Sequence, residues 1–314
     1  MFSDFLKQLR IDMKLSQREL TEKLNLADEA LANLDNVTLS RWETGKTTPS
    51  LVKQIKILRT LTNDLREYLL SAENQIEARI LSGVAYYRYQ KPSSILSSSS
   101  YNPYPNIEKE HVKLKPLMTH PQDETLIKLN NFFHSLDIDN FPMFDVDLYQ
   151  YQQENKVRSV KLIDNRNGEL LGHSVSMLCG MNKIRNYYNS PALPIPMELA
   201  APYSETSEMA IFNLTKHSCY EAVFWLNIAA LAIYLVSRLN IKEMYVYAID
   251  KGTADYFEKL GAERVSYDTP TEVGIVKIGE LTFKHCLYRI DTAVWLSRPD
   301  TIELIEQYPD LPPL

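Results

Sequence analysis

Leu15-Ser16-Gln17-Arg18-Glu19-Leu20 and Thr38-Leu39-Ser40-Arg41-Trp42-Glu43-Thr44-Gly45-Lys46 decide how the start of this chain folds. In the first stretch the Ser16 hydroxyl can accept from an amide in the first turn of a helix, while Glu19 closes the same end from the other side. The helix so started carries Leu20 and Leu24 inward. In the second stretch Gly45 permits the left-handed cap that ends a helix, and Pro49 prevents its continuation. Working outward, Phe2, Phe5, Leu6, Leu9 and Met13 recur at spacings of three and four, on one face of a first helix. Pro49-Ser50-Leu51 leads into a further helix over Val52 to Leu61. Residues 1–80 therefore read as an all-helical domain.

These residues resemble the Cro/repressor (XRE) helix-turn-helix family over roughly the first 70 positions. The resemblance implies a recognition helix around 37–43 in the major groove of double-stranded DNA, with Thr38, Ser40 and Arg41 toward base edges or phosphates. It also implies Gln17 and Arg18 at a helix start near a phosphate, and Lys46 along the DNA backbone. The connection from Asn25 to Asp35 is longer than the family's tight turn and predicts a short extra turn of helix. The rival reading is a plain helical bundle with Trp42 in its core and Arg41 paired with Glu43 on its surface.

A chain of 314 residues with 45% apolar and 24% charged side chains is long enough for two or three packed units. Its net charge of -6 argues against coating nucleic acid along the whole surface. Residues 1–70 hold 11 Lys+Arg against 10 Asp+Glu, so the remaining 23 against 30 carry the acidic excess. Any DNA contact must then come from a local cationic face. No apolar run reaches the ~18 residues of a membrane span, and the first residues lack a secretory signal, so a cytoplasmic protein without membrane partners is expected. Cys179, Cys219 and Cys286, odd in number and far apart, read as buried reduced thiols and suggest no metal site. The serines and prolines of 90–106 mark a linker, placed at 81–119, between the helical domain and a mixed α/β domain over 120–314.

In that second domain two helices are expected, over Gln122 to Leu136 and about Phe144 to Glu154. Asn165-Arg166-Asn167-Gly168, set between the alternating runs 157–164 and 169–178, predicts a hairpin. A strand over 208–214, an apolar helix over about Ala222 to Leu239, a strand over Lys242 to Ile249 and a short helix from Thr253 to Leu260 ending at Gly261 follow. This order, closing on Tyr256-Phe257-Glu258-Lys259-Leu260-Gly261-Ala262, resembles the GNAT acyltransferase family over about 120–290. The fold class implied is an all-helical helix-turn-helix domain followed by a mixed α/β, GNAT-like domain.

Two departures from that family bear on chemistry. Its members bind the coenzyme A pyrophosphate on a glycine-rich turn, whereas the turn read at Thr215 to Glu221 has no glycine. Its frequent general acid is a tyrosine before Glu-Lys-Leu-Gly, where this chain has Phe257, with Tyr256 one residue earlier. The domain is thus expected to be degenerate, with no catalytic residue and no cofactor assigned. His217, read as a loop histidine, Cys219 near a helix start and Tyr256 are candidate ligand-binding residues; Glu205 and Glu208 read as edge or solvent positions. The long apolar helix reads as core that can also border a dimer interface or an acyl pocket. Three readings stand: a dimeric DNA-binding regulator whose second domain senses a small acyl ligand such as acyl-CoA or dimerises; a working acyltransferase fused to a DNA-binding domain; and an interaction protein.

Overall fold

Ser16 and the other predicted caps set the helical domain of the computed structural model, which describes residues 2–71, 80–90, 107–135, 141–188 and 195–314. Helix α1 (Phe2–Asp12) ends where Lys14 turns left-handed, at φ 56°. Helix α2 (Gln17–Ala27) opens on the expected capping box, the Glu19 amide donating to Ser16 Oγ at 3.2 Å and the Ser16 amide to Glu19 Oε2 at 2.7 Å. The long connection holds the expected extra turn, a 3-10 helix over Glu29–Leu31. Asp35 caps α3 (Asn36–Glu43), and Gly45, at φ 68°, carries the chain away from it. Helices α4 (Leu51–Leu58) and α5 (Arg66–Ser71) complete the bundle around Leu6, Leu20, Leu24, Leu31, Leu39 and Trp42. The expected helix to Leu61 stops at Leu58, because the Thr60 and Leu61 amides bond to the carbonyls of Ile57 and Leu58 in a closing turn.

The chain then forms α6 (Leu81–Ala85) with one turn of π-helix over Tyr86–Gln90. Strand β1 (Val112–Pro116), α7 (Thr125–His134), a 3-10 turn at Pro142–Phe144 and α8 (Leu148–Gln153) follow. Next come the hairpin strands β2 (Val157–Asp164) and β3 (Leu170–Gly180), joined through Gly168 at φ 77°, then α9 (Met181–Tyr187). Strand β4 (Met209–Ser218), the apolar α10 (Glu221–Val236), β5 (Ile241–Ala248) and α11 (Lys251–Leu260) are in the expected order. Past Gly261 the sequence pattern assigns no element. The structure has β6 (Glu263–Tyr267), β7 (Pro270–Thr271), β8 (Val276–Ile278), β9 (Leu281–Phe283) and β10 (Cys286–Asp291), then α12 (Thr292–Leu296) and α13 (Pro299–Gln307).

The main sheet runs β1-β2-β3-β4-β5-β10-β6, and a small second sheet runs β7-β9-β8. Among the described residues every strand pairing is antiparallel except β4 with β5, the pair that α10 connects. That parallel pairing reaches only Phe212 and Tyr245. Beyond it Asn213–Ser218 stay bonded to β3 across a bulge at Leu214, and the end of β5 stays bonded to β10. The strands therefore part, and the opening positions the cavity described below. Helix α10 is buried almost all round, as its composition required.

Two expectations are corrected. Within the span 81–119, Leu81–Gln90 packs on α11 and β1 is an edge strand of the main sheet, so those parts are not linker. Leu81, Val84 and Leu114 supply the apolar contacts that the nearby serines and prolines obscured. The Ser/Pro-rich stretch 91–106 lies outside the described residues, as does Leu136. Likewise Thr215–Ser218 are not turn but strand, because β3 from Gly172 to Val175 pairs with them, and only Cys219 and Tyr220 connect β4 to α10.

Candidate DNA-binding surface and internal cavity

The Arg-Trp-Glu run on α3 sends its three side chains to different places because successive helical residues point about 100° apart. Trp42 is buried, with Lys53 Nζ 5.5 Å from its ring centroid. Glu43 is also buried and accepts from Arg10 Nε at 2.6 Å and Nη2 at 3.0 Å, and from the Gln17 amide at 2.7 Å. Glu43 thus ties α3 to α1 and to the start of α2, and it is not paired with Arg41 as the rival bundle reading required. Arg41 is exposed. Together with Asn36, Val37, Ser40, Thr44 and Lys46 it lines a shallow groove on the outer face of α3. Among the described residues neither Arg41 nor Lys46 has an ion-pair partner within 4 Å, although the Thr38 amide, with the Arg41 charge helping, holds the Asp35 carboxyl below its ordinary pKa.

Other residues implied by the resemblance lie differently. Gln17 is the first residue of α2, but its amide is turned inward to Glu43. Arg18 stands in solvent, pairing with Glu22 at 2.9 Å along the helix. Thr38 is half-buried and outside the groove, whereas Asn36, Val37 and Thr44, which sequence reasoning passed over, border it. The helical period from Ser40 and Arg41 would have found them.

Where β4 and β5 part there is a cavity of about 510 Å³, walled by Phe224, Ile228 and Leu231 of α10, Met244 and Val246 of β5, Tyr256 and Phe257 of α11, and Trp295. Leu81, Val84 and Arg88 close it from the segment that follows the helical domain. Lys216 of β4 faces it as well, and its Nζ lies 5.8 Å from the Phe224 ring centroid. Burial, followed by the nearby Arg88 charge, pushes the Lys216 ammonium down to about 7. Asp250, the carboxylate on the wall, is occupied as the cap of α11, holding the Thr253 amide and hydroxyl at 2.8 Å each.

The three candidate ligand residues do not converge. Tyr256 lines the cavity, but its hydroxyl accepts from Trp295 Nε1 at 2.9 Å, and burial raises its pKa. His217, expected in a loop, lies on β4, buried against the Phe132 ring at 5.0 Å, because neighbouring strand residues face opposite sides and Lys216 takes the cavity side. Cys219 is buried in the β4 to α10 connection and is not among the cavity's lining residues. That connection is also covered, since the Tyr89 hydroxyl donates to the Ser218 carbonyl at 2.9 Å and its ring packs on Phe224. Glu205 and Glu208 are exposed, and all three cysteines are buried and outside any disulfide. No helix among the described residues is long and apolar enough to cross a membrane.

Residues 6–68 match the model of a helix-turn-helix family, which supports a DNA-binding regulator. No curated protein matches the chain. Among solved structures it is similar to a ribosomal-protein-S5-alanine acetyltransferase from Vibrio fischeri, at 10% identity and a TM-score of 0.34, over 60% of this chain and 97% of that one. It is also similar to a malonyl-CoA decarboxylase from Rhodopseudomonas palustris, at 13% identity and a TM-score of 0.27, over 76% of this chain and 52% of that one.

Proposed function

We propose that the chain is a cytoplasmic, sequence-specific transcription regulator that binds double-stranded DNA as a homodimer, with its GNAT-like domain serving ligand sensing or dimerisation. The observation that carries this reading is the division of labour on α3, where Trp42 and Glu43 fix the helix while Ser40, Arg41 and Lys46 are left on the outside. A guanidinium held on a rigid helix can make paired bonds to a guanine edge. One such helix spans few base pairs, and a two-fold dimer doubles the site. The test is genome-wide mapping of bound DNA. Recovered sites that share a two-fold symmetric motif support the reading, and sites with no common motif remove sequence specificity. Acyl transfer is the second reading, favoured by the opening between β4 and β5. It is tested by following released coenzyme A with acyl donors and amines.

A further inference from the structure

We propose that the cavity between β4 and β5 binds a single-headed anionic amphiphile, an alkyl carboxylate, with its head on Lys216 Nζ and its chain along Phe224, Ile228, Met244 and Val246. The inference rests on the reading of this domain as a ligand sensor and names the class of ligand.

Charge sets the head group. The Lys216 ammonium has no hydrogen bond or ion pair among the described residues, and its charged neighbours are Arg88, Arg158 and Asp250. Arg158 is fully buried beneath the Tyr234 ring, and the Asp250 oxygens are held by Thr253. Asp250, already engaged, is thus the one acid beside the Lys216 ammonium on the cavity wall among the described residues, and the apolar surroundings drive that ammonium toward its neutral form. One carboxylate at Nζ supplies the missing negative charge and restores the proton. A ligand bearing several phosphates would bring more negative charge than this set can balance. The connection at Ser218 has no glycine, its Cys219 amide is bonded to the Leu171 carbonyl and the Tyr89 side chain lies against it, so side chains stand where a pyrophosphate would approach.

Shape and polarity set the tail. The volume lies within the range of small-ligand sites, and the walls beyond Lys216 are aliphatic and aromatic. Each methylene buried there tightens binding by about fourfold.

Isothermal titration of the full chain with sodium decanoate, methyl decanoate and decanoyl-CoA tests the site. The expected result is saturable decanoate binding, at least about tenfold weaker for the ester, and uptake of a proton above neutrality seen as a buffer-dependent enthalpy. Lys216→Gln should weaken decanoate at least about tenfold while Lys216→Arg, which keeps the charge, retains most of it; melting curves confirm that both variants fold. Absence of decanoate binding, equal binding of the ester, or no effect of Lys216→Gln in a folded protein overturns the proposal. Binding of decanoyl-CoA alone overturns it too, yet leaves the sensing reading in place. Decanoate binding that leaves affinity for DNA unchanged supports the site and removes the sensing role.

Discussion

Arg41 and its neighbour Trp42 separate surface charge from core packing at single-residue resolution. Arg41→Ala removes an exposed cation that makes no packing contact in the core, so the melting temperature should hold while affinity for the natural site falls by ~1–3 kcal/mol. Electrophoretic mobility shifts with specific and scrambled DNA measure this, and unchanged discrimination would take Arg41 out of the readout. Trp42→Ala should instead lose ~3–5 kcal/mol of stability, since the side chain is only 5% exposed and its removal leaves a hole in a small bundle. A normal melting curve would contradict that. His173, on β3, gives a pH dependence. Burial, with His217 adding to it, lowers its pKa to about 3 from the usual 6.5. Over that window the unfolded chain binds a proton that the native state refuses, so stability falls as pH drops from about 6.5 toward 3, by up to ~1.4 kcal/mol per pH unit. Urea midpoints across the range should show a shallower slope for His173→Gln than for the parent protein; parallel slopes would assign the acid sensitivity to other groups.

Among the elements, those specified by local chemistry were legible in the sequence. The capping box at Ser16, the left-handed stop at Gly45 and the turn at Gly168 each depend on a few adjacent side chains, and each is where the pattern placed it. What escaped was set by partners distant in the chain. Thr215–Ser218 look like a polar turn, yet β3 supplies their hydrogen bonds. Strand β1 has only five residues beside a Ser/Pro-rich stretch, and β2 is what makes it a strand. Helix α3 was legible because a known motif orders it, while the cavity brings together Arg88, Lys216 and Trp295, which no spacing rule connects. Gly172 shows the same non-local control. A Cβ there would stand 2.8 Å from Val223 Cγ1 and 2.9 Å from the His217 carbonyl, so α10 can rest on β3 only because this residue has no side chain. Gly172→Ala should therefore destabilise by ~1–3 kcal/mol. Gly83→Ala, in α6 with nothing within 4 Å of the new methyl, should stabilise by ~0.4–1 kcal/mol. Thermal melts of the two variants decide it, and a Gly172→Ala protein as stable as the parent would mean that α10 can shift to admit the methyl.

At the scale of the whole molecule, the helical domain is built into the sheet domain, and this determines how the protein unfolds. One apolar cluster runs from Phe2 and Trp42 through Ile55 and Leu58 to Ile233, Trp295 and Ile305. Polar contacts cross the same boundary. The Leu65 amide donates to the Val236 carbonyl at 3.1 Å, Lys56 pairs with Asp291 at 2.8 Å, and Arg66 donates to the Pro309 carbonyl at 3.1 Å. At the centre, Arg59 Nη2 donates to Thr292 Oγ1 at 2.8 Å, and that hydroxyl donates onward to the Ile241 carbonyl at 2.7 Å. Burial lowers the Arg59 pKa to about 10, with Asp291 and Asp28 opposing the shift, so this guanidinium depends on its few partners. Units that share a core in this way lose their native contacts together. Urea unfolding followed by tryptophan fluorescence and by far-ultraviolet circular dichroism should therefore give one midpoint. Thr292→Val keeps the shape but deprives Arg59 Nη2 of its acceptor, and should lower stability by ~1–3 kcal/mol. If the boundary carries the coupling, that substitution shifts both signals equally. Two separated midpoints in the parent protein would show that the helical domain unfolds independently and that its contacts with α12 and α13 contribute little.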